Sequence, residues 1–384
     1  MMRIAHVTTI PLTAKAFLLR LFCSLLQQGH NVSAISSAGE GVEDLERHGV
    51  RHVTVPLTRR ITPVRDMIAI VHMVADMRAQ RYDIVHTHTP KGNLLGLIAA
   101  RLAGVPFRCC TIHGLYMSAS FPLWKNILFA LIERFTASNA HLVFLINRED
   151  VSIATRFRIV RSSKIRLLDG GVGLDLTRFD PDRMTKELKD RERMLLGIER
   201  DAIVVGFVGR LVEEKGVPEL LQVAERIRVS HPRVRFLFVG PSDHAKHDAI
   251  TPESVRKQGL GSSSLFAGPR TDMPLIYAAM DALCLPSYRE GFGMVLAEAG
   301  AMGLPVIASD LGGCREIVDD DVNGILVPAG NVDALHAAIV TLVEDGELRR
   351  HMGEQGRRKA RDRFDDTRIN EHIYREYLAG MEGR

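Results

Sequence analysis

No stretch of this 384-residue chain approaches eighteen uninterrupted apolar residues, and the opening Met1-Met2-Arg3-Ile4-Ala5-His6-Val7-Thr8 carries no apolar run of signal-peptide length. A membrane-spanning or secreted protein is not expected on that reading, and a cytoplasmic one is. Cysteine is scarce. Its five copies, including the neighbours Cys109 and Cys110, show neither paired metal spacing nor an even disulfide framework, so they read as small buried thiols. No Gly-x-Gly-x-x-Gly follows the first strand-like run, which argues against a nicotinamide dehydrogenase. Internal repeats and low-complexity tracts are missing as well. So is a dominant charge: 50 Lys and Arg against 46 Asp and Glu leave +4, too little to imply a nucleic-acid partner, and none is expected.

What is present is the composition of a soluble globular enzyme, 46% hydrophobic and 25% charged, on a chain longer than one core usually organises. Two domains follow. Short β-branched runs alternate with helix-length amphipathic segments. Ile4–Thr8, Asn31–Ile35, His52–Val55, Ile84–His86, Phe107–Thr111 and His141–Leu145 read as strands of a first half. Gly29 and Gly104 stand where helices would end in a left-handed residue. The rhythm restarts at Ile203–Val208, with Val234–Val239, Ala282–Leu285, Val306–Ser309 and Gly324–Val327. The highly charged Asp180–Arg200 is placed as linker, giving domains at 1–180 and 195–362. After Asp345 the chain is helical to the end, and the amphipathic segment from Asp366 needs a surface to cover.

Open α/β sheets bind ligands beyond the carboxyl ends of their strands. Ser287-Tyr288-Arg289-Glu290-Gly291-Phe292-Gly293-Met294-Val295-Leu296-Ala297-Glu298 follows the strand Ala282–Leu285 and reads as turn and helix start, so the amides of Gly293, Met294 and Val295 point at a bound anion. Glu290 before the turn and Glu298 one turn into the helix can face one pocket and accept from vicinal hydroxyls. Gly209-Arg210, followed by Lys215-Gly216, brings two cations to another strand end, Arg as a planar fork and Lys as a point charge for a diphosphate.

Glu290-x7-Glu298, Gly209-Arg210 with Lys215-Gly216, and Thr111-Ile112-His113-Gly114 resemble the retaining glycosyltransferases of family 4. Further matches are His86-Thr87-His88-Thr89-Pro90-Lys91-Gly92 and Glu316-Ile317-Val318 with Asn323-Gly324, and the resemblance spans nearly the whole chain. It implies the α/β GT-B architecture: two facing Rossmann-like domains with a deep interdomain cleft, the last helix (366–384) returning to the first domain. It further implies that Arg210 and Lys215 hold the diphosphate, Glu298 the ribose, and Glu290 the transferred sugar. Backbone from Phe292 to Val295 completes the donor site, and His113 touches the sugar from the N-terminal domain. The base, uracil in relatives, falls near Gly268, Pro269 and Arg270. The implied reaction is metal-independent transfer of a hexosyl or N-acetylhexosaminyl group, with retention, from a nucleotide sugar to a lipid-linked or saccharide acceptor in bacterial capsule or O-antigen synthesis, with no cofactor. A nucleotide-sugar epimerase and a non-catalytic sugar-nucleotide-binding subunit are the rival readings. Two departures stand out, the first on the acceptor side and the second removing a polar contact that the family's Asn would make. The family's Gly-Gly loop is replaced by Thr9-Ile10-Pro11-Leu12-Thr13, and its Asn-Gly-Val-Asp by Val172-Gly173-Leu174-Asp175.

Other motifs carry less. His86-x-His88 can ligate a metal, but no third or fourth ligand presents itself, so no metal is assigned; His6 and His141 read as core or strand-edge residues. Asp319-Asp320-Asp321 runs into Asn323-Gly324 and reads as a turn. Phe121–Ile132, with the sole Trp124 beside Lys125, suits either a helix resting on the inner membrane face or one buried in the first domain. The basic loop Arg59–Arg65 can meet lipid headgroups, acceptor phosphate or simply solvent.

Overall fold

The computed structural model describes residues 1–117, 121–242, 249–257 and 263–383, which divide into two compact units: Met1–Gly173 with Asp366–Arg384, and Leu174–Asp365. The first contains seven strands, β1 Arg3–Val7, β2 Asn31–Ser36, β3 Arg51–Thr54, β4 Ile84–His88, β5 Phe107–Ile112, β6 Leu142–Leu145 and β7 Ile165–Leu167. They pair in parallel in the order β3-β2-β1-β4-β5-β6-β7. Helices cover the sheet, so its central strands are buried on both faces and read as continuous apolar runs. The order reverses between β1 and β4, where chain connections leave in opposite directions and open a crevice beyond the strand ends.

The second unit repeats the plan with β8 Ile203–Val208, β9 Val234–Val239, β10 Ser264–Gly268, β11 Ala282–Leu285, β12 Val306–Ser309 and β13 Gly324–Val327, in the order β10-β9-β8-β11-β12-β13, again all parallel. Its reversal lies between β8 and β11. The charged segment expected to be the linker lies wholly within this unit, where Lys186–Leu195 forms a helix. Its Arg193 reaches Asp281 at 2.8 Å and its Glu192 reaches Arg270 at 2.8 Å, so charge there serves intradomain anchoring.

The helix Asp366–Glu382 belongs to the first unit, and Arg384 lies outside the described residues. It packs against the helix Pro11–Gln27 and β5 and buries Ile369, Ile373 and Tyr377, spaced as one helical face. Arg20 grips Asp366 at 2.7 Å, and Tyr374 meets His30 at 3.1 Å. No described helix is long and apolar enough to cross a membrane.

Candidate functional site

At the β8–β11 switch point two of the expected residues, Lys215 and Glu290, meet directly. β8 ends at Val208 and delivers Gly209 and Arg210; a short 3-10 turn, Glu213–Lys215, then brings the chain back toward the loop after β11. The Tyr288 amide donates to the Glu214 carbonyl at 3.0 Å, joining the two loops. Gly216 closes the turn with φ 72°, and a Cβ there would lie 2.1 Å from the Pro286 carbonyl oxygen, so only glycine permits the approach. That approach places Lys215 Nζ 2.5 Å from Glu290 Oε1, which also accepts from Ser287 Oγ at 2.9 Å. Their side chains are only 18% and 12% exposed, so the pair is shielded from water and still reachable. Arg210 lies 3.8 Å from Glu214 and is more open, at 40%.

Beyond Glu290 the helix Met294–Ala301 begins at Gly293, whose φ of 71° turns the chain into it. Met294 and Val295 are partly accessible, and first-turn amides have no carbonyl acceptor within their own helix. The Phe292 ring is buried edge-on against Phe364 at 5.8 Å, which leaves only its backbone to face a ligand. Glu298 accepts from the buried Tyr277 hydroxyl at 2.7 Å. Burial pushes its carboxyl up to about 7, against the Tyr277 hydrogen bond and the positive Arg178, which favour the charged form.

Arg270 is differently employed. Its guanidinium bonds Glu192 and Asp272, and these partners hold its pKa above the ordinary arginine value. The structure therefore gives that side chain a scaffold task. Three supporting residues escaped the sequence reading: Tyr277, Arg178 and Gly313. A Cβ on Gly313 would stand 2.6 Å from the Glu290 carbonyl oxygen, so this glycine lets the helix Gly312–Arg315 pack beneath the Glu290 loop. The Gly312-Gly313 pair directly past the end of β12 was the available signal.

At the β1–β4 switch point of the first unit the polar side chains nearest the strand ends are neutral, and the nearby lysine, Lys91, is paired with Asp66 at 2.6 Å. Thr9 and Thr89 meet through their hydroxyls at 2.8 Å, and Thr89 holds φ 67° with ψ 146°, a conformation costly for any residue bearing a Cβ. Pro11 starts the next helix immediately, which explains the missing glycine pair of the loop after β1. His113 is partly accessible, its ring tilted against that of His88 with centroids 5.8 Å apart; desolvation pulls its pKa down to about 4, leaving it uncharged at neutral pH.

The histidine reading needs correction. β1 runs beside β4 in register, His6 opposite His86, so a third imidazole does join the His86-x-His88 pair. Ring nitrogens of His6, His86 and His88 all lie within 4.8 Å of one another, a constellation able to meet around a metal. The existing bonds show another use: His6 Nδ1 to His88 Nε2 at 3.1 Å, His86 Nδ1 to the Tyr377 hydroxyl at 2.6 Å, and His86 Nε2 to Thr111 at 2.8 Å. His86 spends both nitrogens on these contacts. Burial lowers all three pKa values, so the cluster is a neutral polar network in the core. Asp319–Asp321 is a turn, closed by Asn323 accepting from the Asp319 amide at 2.7 Å. The Trp124 helix, Leu123–Asn139, is not buried: Trp124 is 64% exposed, with Leu123, Ile127, Leu128, Leu131 and Phe135 also open.

Comparison with known proteins agrees with this fold. The family model described as "Glycosyl transferases group 1" matches residues 189–359, and that described as "Glycosyl transferase 4-like domain" matches 14–171. The UDP-Gal:alpha-D-GlcNAc-diphosphoundecaprenol alpha-1,3-galactosyltransferase of Escherichia coli is 30% identical over 90% of this chain and 89% of its own. The chain belongs to the family 4 glycosyltransferases. This glycosyltransferase is also 27% identical to the capsular polysaccharide biosynthesis glycosyltransferase CapM of Staphylococcus aureus, over 94% of this chain and 93% of that one. Its fold matches Anabaena HepE in complex with UDP and glucose, with a TM-score of 0.83 at 22% identity, covering 99% of this chain and all of that one. A second match is the sucrose-phosphate synthase of Thermosynechococcus elongatus, with a TM-score of 0.84 at 23% identity over the full length of both. Both carry the two Rossmann-like domains of the GT-B fold.

Proposed function

We propose that this glycosyltransferase moves a hexosyl or N-acetylhexosaminyl group, with retention of configuration, from a UDP-sugar to a lipid-linked acceptor in bacterial surface-polysaccharide synthesis. The observation carrying the proposal is the Lys215–Glu290 pair at the β8–β11 switch point, beside the Gly293 helix start. A leaving diphosphate gains charge as the glycosidic bond breaks. Lys215, Arg210 and the amides of Met294 and Val295 offer it fixed positive potential in a partly dry site, the kind of preorganisation that lowers a barrier most. Glu290, held by Lys215 and Ser287, is placed to accept hydroxyls of the transferred sugar, and Glu298 those of the ribose. The first unit supplies the acceptor site, with His113 taking part in transfer.

Relatives support the substrate classes. The Escherichia coli enzyme is named for a UDP-galactose donor and a diphosphoundecaprenol acceptor, and CapM for capsule synthesis. A lipid-linked acceptor suits peripheral contact with the inner membrane face, for which the exposed apolar side of Leu123–Asn139 is the candidate surface.

The test incubates the protein with UDP-sugars, with and without diphosphoundecaprenol-linked saccharides. UDP release that requires acceptor, unaffected by a chelator, is expected. Isomerised donor without acceptor would establish an epimerase instead, and tight UDP binding with no release under any acceptor a non-catalytic subunit.

A further inference from the structure

The end of β4 leaves a buried nitrogen that the sugar-transfer chemistry has not used. His88 is only 1% exposed, and its Nε2 lies 3.1 Å from His6 Nδ1. In a bond between two neutral imidazoles, one ring donates its single N–H and the other offers its single lone pair. Whichever ring donates, the far nitrogens, His6 Nε2 and His88 Nδ1, are then one N–H and one lone pair. Neither has a hydrogen-bond partner among the described residues. An orphaned polar atom in a core costs free energy, so each one calls for something that meets it. The two rings differ in what surrounds them. His6 is walled in by Phe22, with centroids 4.7 Å apart, whereas His88 borders a small cavity.

That cavity lies at the carboxyl ends of β4 and β5, and Thr111, His113, Leu168, Val172 and Asn370 line it with His88. Its volume of about 10 Å³ is that of one water, and it offers the several polar partners a buried water requires. Thr111 already meets His86 Nε2 at 2.8 Å, which leaves the two imidazoles and the Asn370 amide as the readiest of them. The His88 and His113 rings have centroids 5.8 Å apart and make no direct hydrogen bond to each other. One bridging water spans such a separation with two bonds of about 2.8 Å. His113 stands one residue beyond β5, outside the ladder, and no described residue hydrogen-bonds its ring. Burial keeps both rings uncharged, so each has a single N–H whose place a neighbour must set.

We propose that His88 is a positioning residue for transfer: through one water in this cavity, its Nδ1 fixes the tautomer and the ring orientation of His113. The inference rests on the role in transfer proposed above for His113. His6 sets the polarity of the chain, because the direction of its bond to His88 decides whether Nδ1 donates to the water or accepts from it. The His113 ring is thereby held for the sugar before any substrate arrives, and the orphaned nitrogen of His88 is satisfied.

Two substitutions at His88 separate this task from packing, because both remove the ring. The side-chain amide of His88→Asn sits where Nδ1 was and that of His88→Gln where Nε2 was, so the former keeps the bridge and the latter the bond to His6. His88→Gln should lower kcat about tenfold with the donor KM within about twofold of wild type. His88→Asn should stay within about threefold of wild type in kcat yet unfold about 2 to 4 °C lower than His88→Gln. Val172→Leu, which fills the place of the water and leaves every imidazole intact, should lower kcat as His88→Gln does. Rates are read as acceptor-dependent UDP release from the UDP-sugar. The His113 ring is read without substrate, by long-range proton–nitrogen NMR correlation in histidine-labelled protein, assigned with His113→Gln. One tautomer is expected in wild type and His88→Asn, and a mixture in His88→Gln and Val172→Leu. An unaltered His113 tautomer in both of the last two would overturn the inference, as would a kcat loss greater in His88→Asn than in His88→Gln. If His113→Gln itself turned over like wild type, the transfer role of His113 would be wrong and the inference would fall with it. A slow His113→Gln beside unimpaired His88→Gln and Val172→Leu overturns the inference alone.

Discussion

Replacing Lys215 with alanine isolates the central electrostatic claim. The side chain is held 2.5 Å from Glu290 and is mostly shielded from water, so its ammonium cannot be replaced by a mobile counter-ion of equal precision. One elementary charge about 4 Å from a developing oxyanion, at an effective dielectric constant near 20, is worth about 4 kcal/mol, and measured losses of single fixed donors run about 2.7 to 4 kcal/mol. Lys215→Ala should therefore lower kcat by roughly a hundredfold to a thousandfold. The fold should suffer less, because Glu290 keeps Ser287 as a donor; a cost of about 1 to 2 kcal/mol lies between that of an exposed and a buried pair. The assay is steady-state UDP release at saturating donor and acceptor, with thermal unfolding as the stability control. A double-mutant cycle with Glu290→Gln separates two tasks. If Lys215 only positioned Glu290, adding Lys215→Ala to Glu290→Gln would cost nothing more; direct action on the diphosphate predicts at least about a further tenfold. A variant turning over within about threefold of wild type would refute the assigned role.

Three further outcomes follow from the same structure. Glu298 has its folded pKa raised from 4.5 to about 7, so the native state holds its proton longer than the unfolded chain; its stabilising contribution is present below the unfolded value and is lost as pH climbs through about 7. Ribose hydroxyls favour the ionised form, so UDP-sugar affinity measured by calorimetry should weaken on the order of tenfold from about pH 8 to about pH 6, and Glu298→Gln should abolish that slope. Gly216→Ala should destabilise by at least about 2 kcal/mol in chemical denaturation and raise the donor KM, because its Cβ would collide with the Pro286 carbonyl in a left-handed conformation. Tyr377→Phe should cost about 1 to 3 kcal/mol by stranding His86 Nδ1 in the core, with donor affinity unchanged.

The architecture was legible because doubly wound sheets advertise themselves through alternating strand and helix patterns. Six strands of the first sheet and five of the second sit where β-branched runs predict them, and Gly29 and Gly104 have the left-handed φ of 80° and 75° expected of helix ends. The two missed strands are the weak ones. β7 has three residues at a sheet edge, and β10, also an edge strand, is only half-buried. Edges need less apolar continuity, so their sequences signal less. The charged 180–200 segment was misplaced for a related reason: composition marks it as solvent-facing, but Arg193 and Glu192 spend their charge on partners far away in sequence. The same limit hid His6 and Tyr277. Each lies about 80 and 21 residues from its partners His88 and Glu298, and only strand order brings them together.

The division of labour proposed for the two switch points has an electrostatic basis. In the second unit the strand ends present Lys215, Arg210 and a helix start, all positive, with carboxylates set beside them. In the first unit the equivalent position presents Thr9, Thr89 and two imidazoles that burial holds uncharged. A diphosphate brought to the first position would find the helix starts at Pro11 and Pro90 but only a lysine, Lys91, whose charge is already paired with Asp66 at 2.6 Å, whereas an acceptor hydroxyl needs only short neutral hydrogen-bonding groups. Electrostatics thus supports assigning the donor to the second unit and the acceptor to the first. The strained backbone at Thr89 marks where to probe that assignment: Thr89→Gly relieves the strain and removes the hydroxyl met by Thr9, so it should raise stability while raising the KM for acceptor and leaving that for donor unchanged.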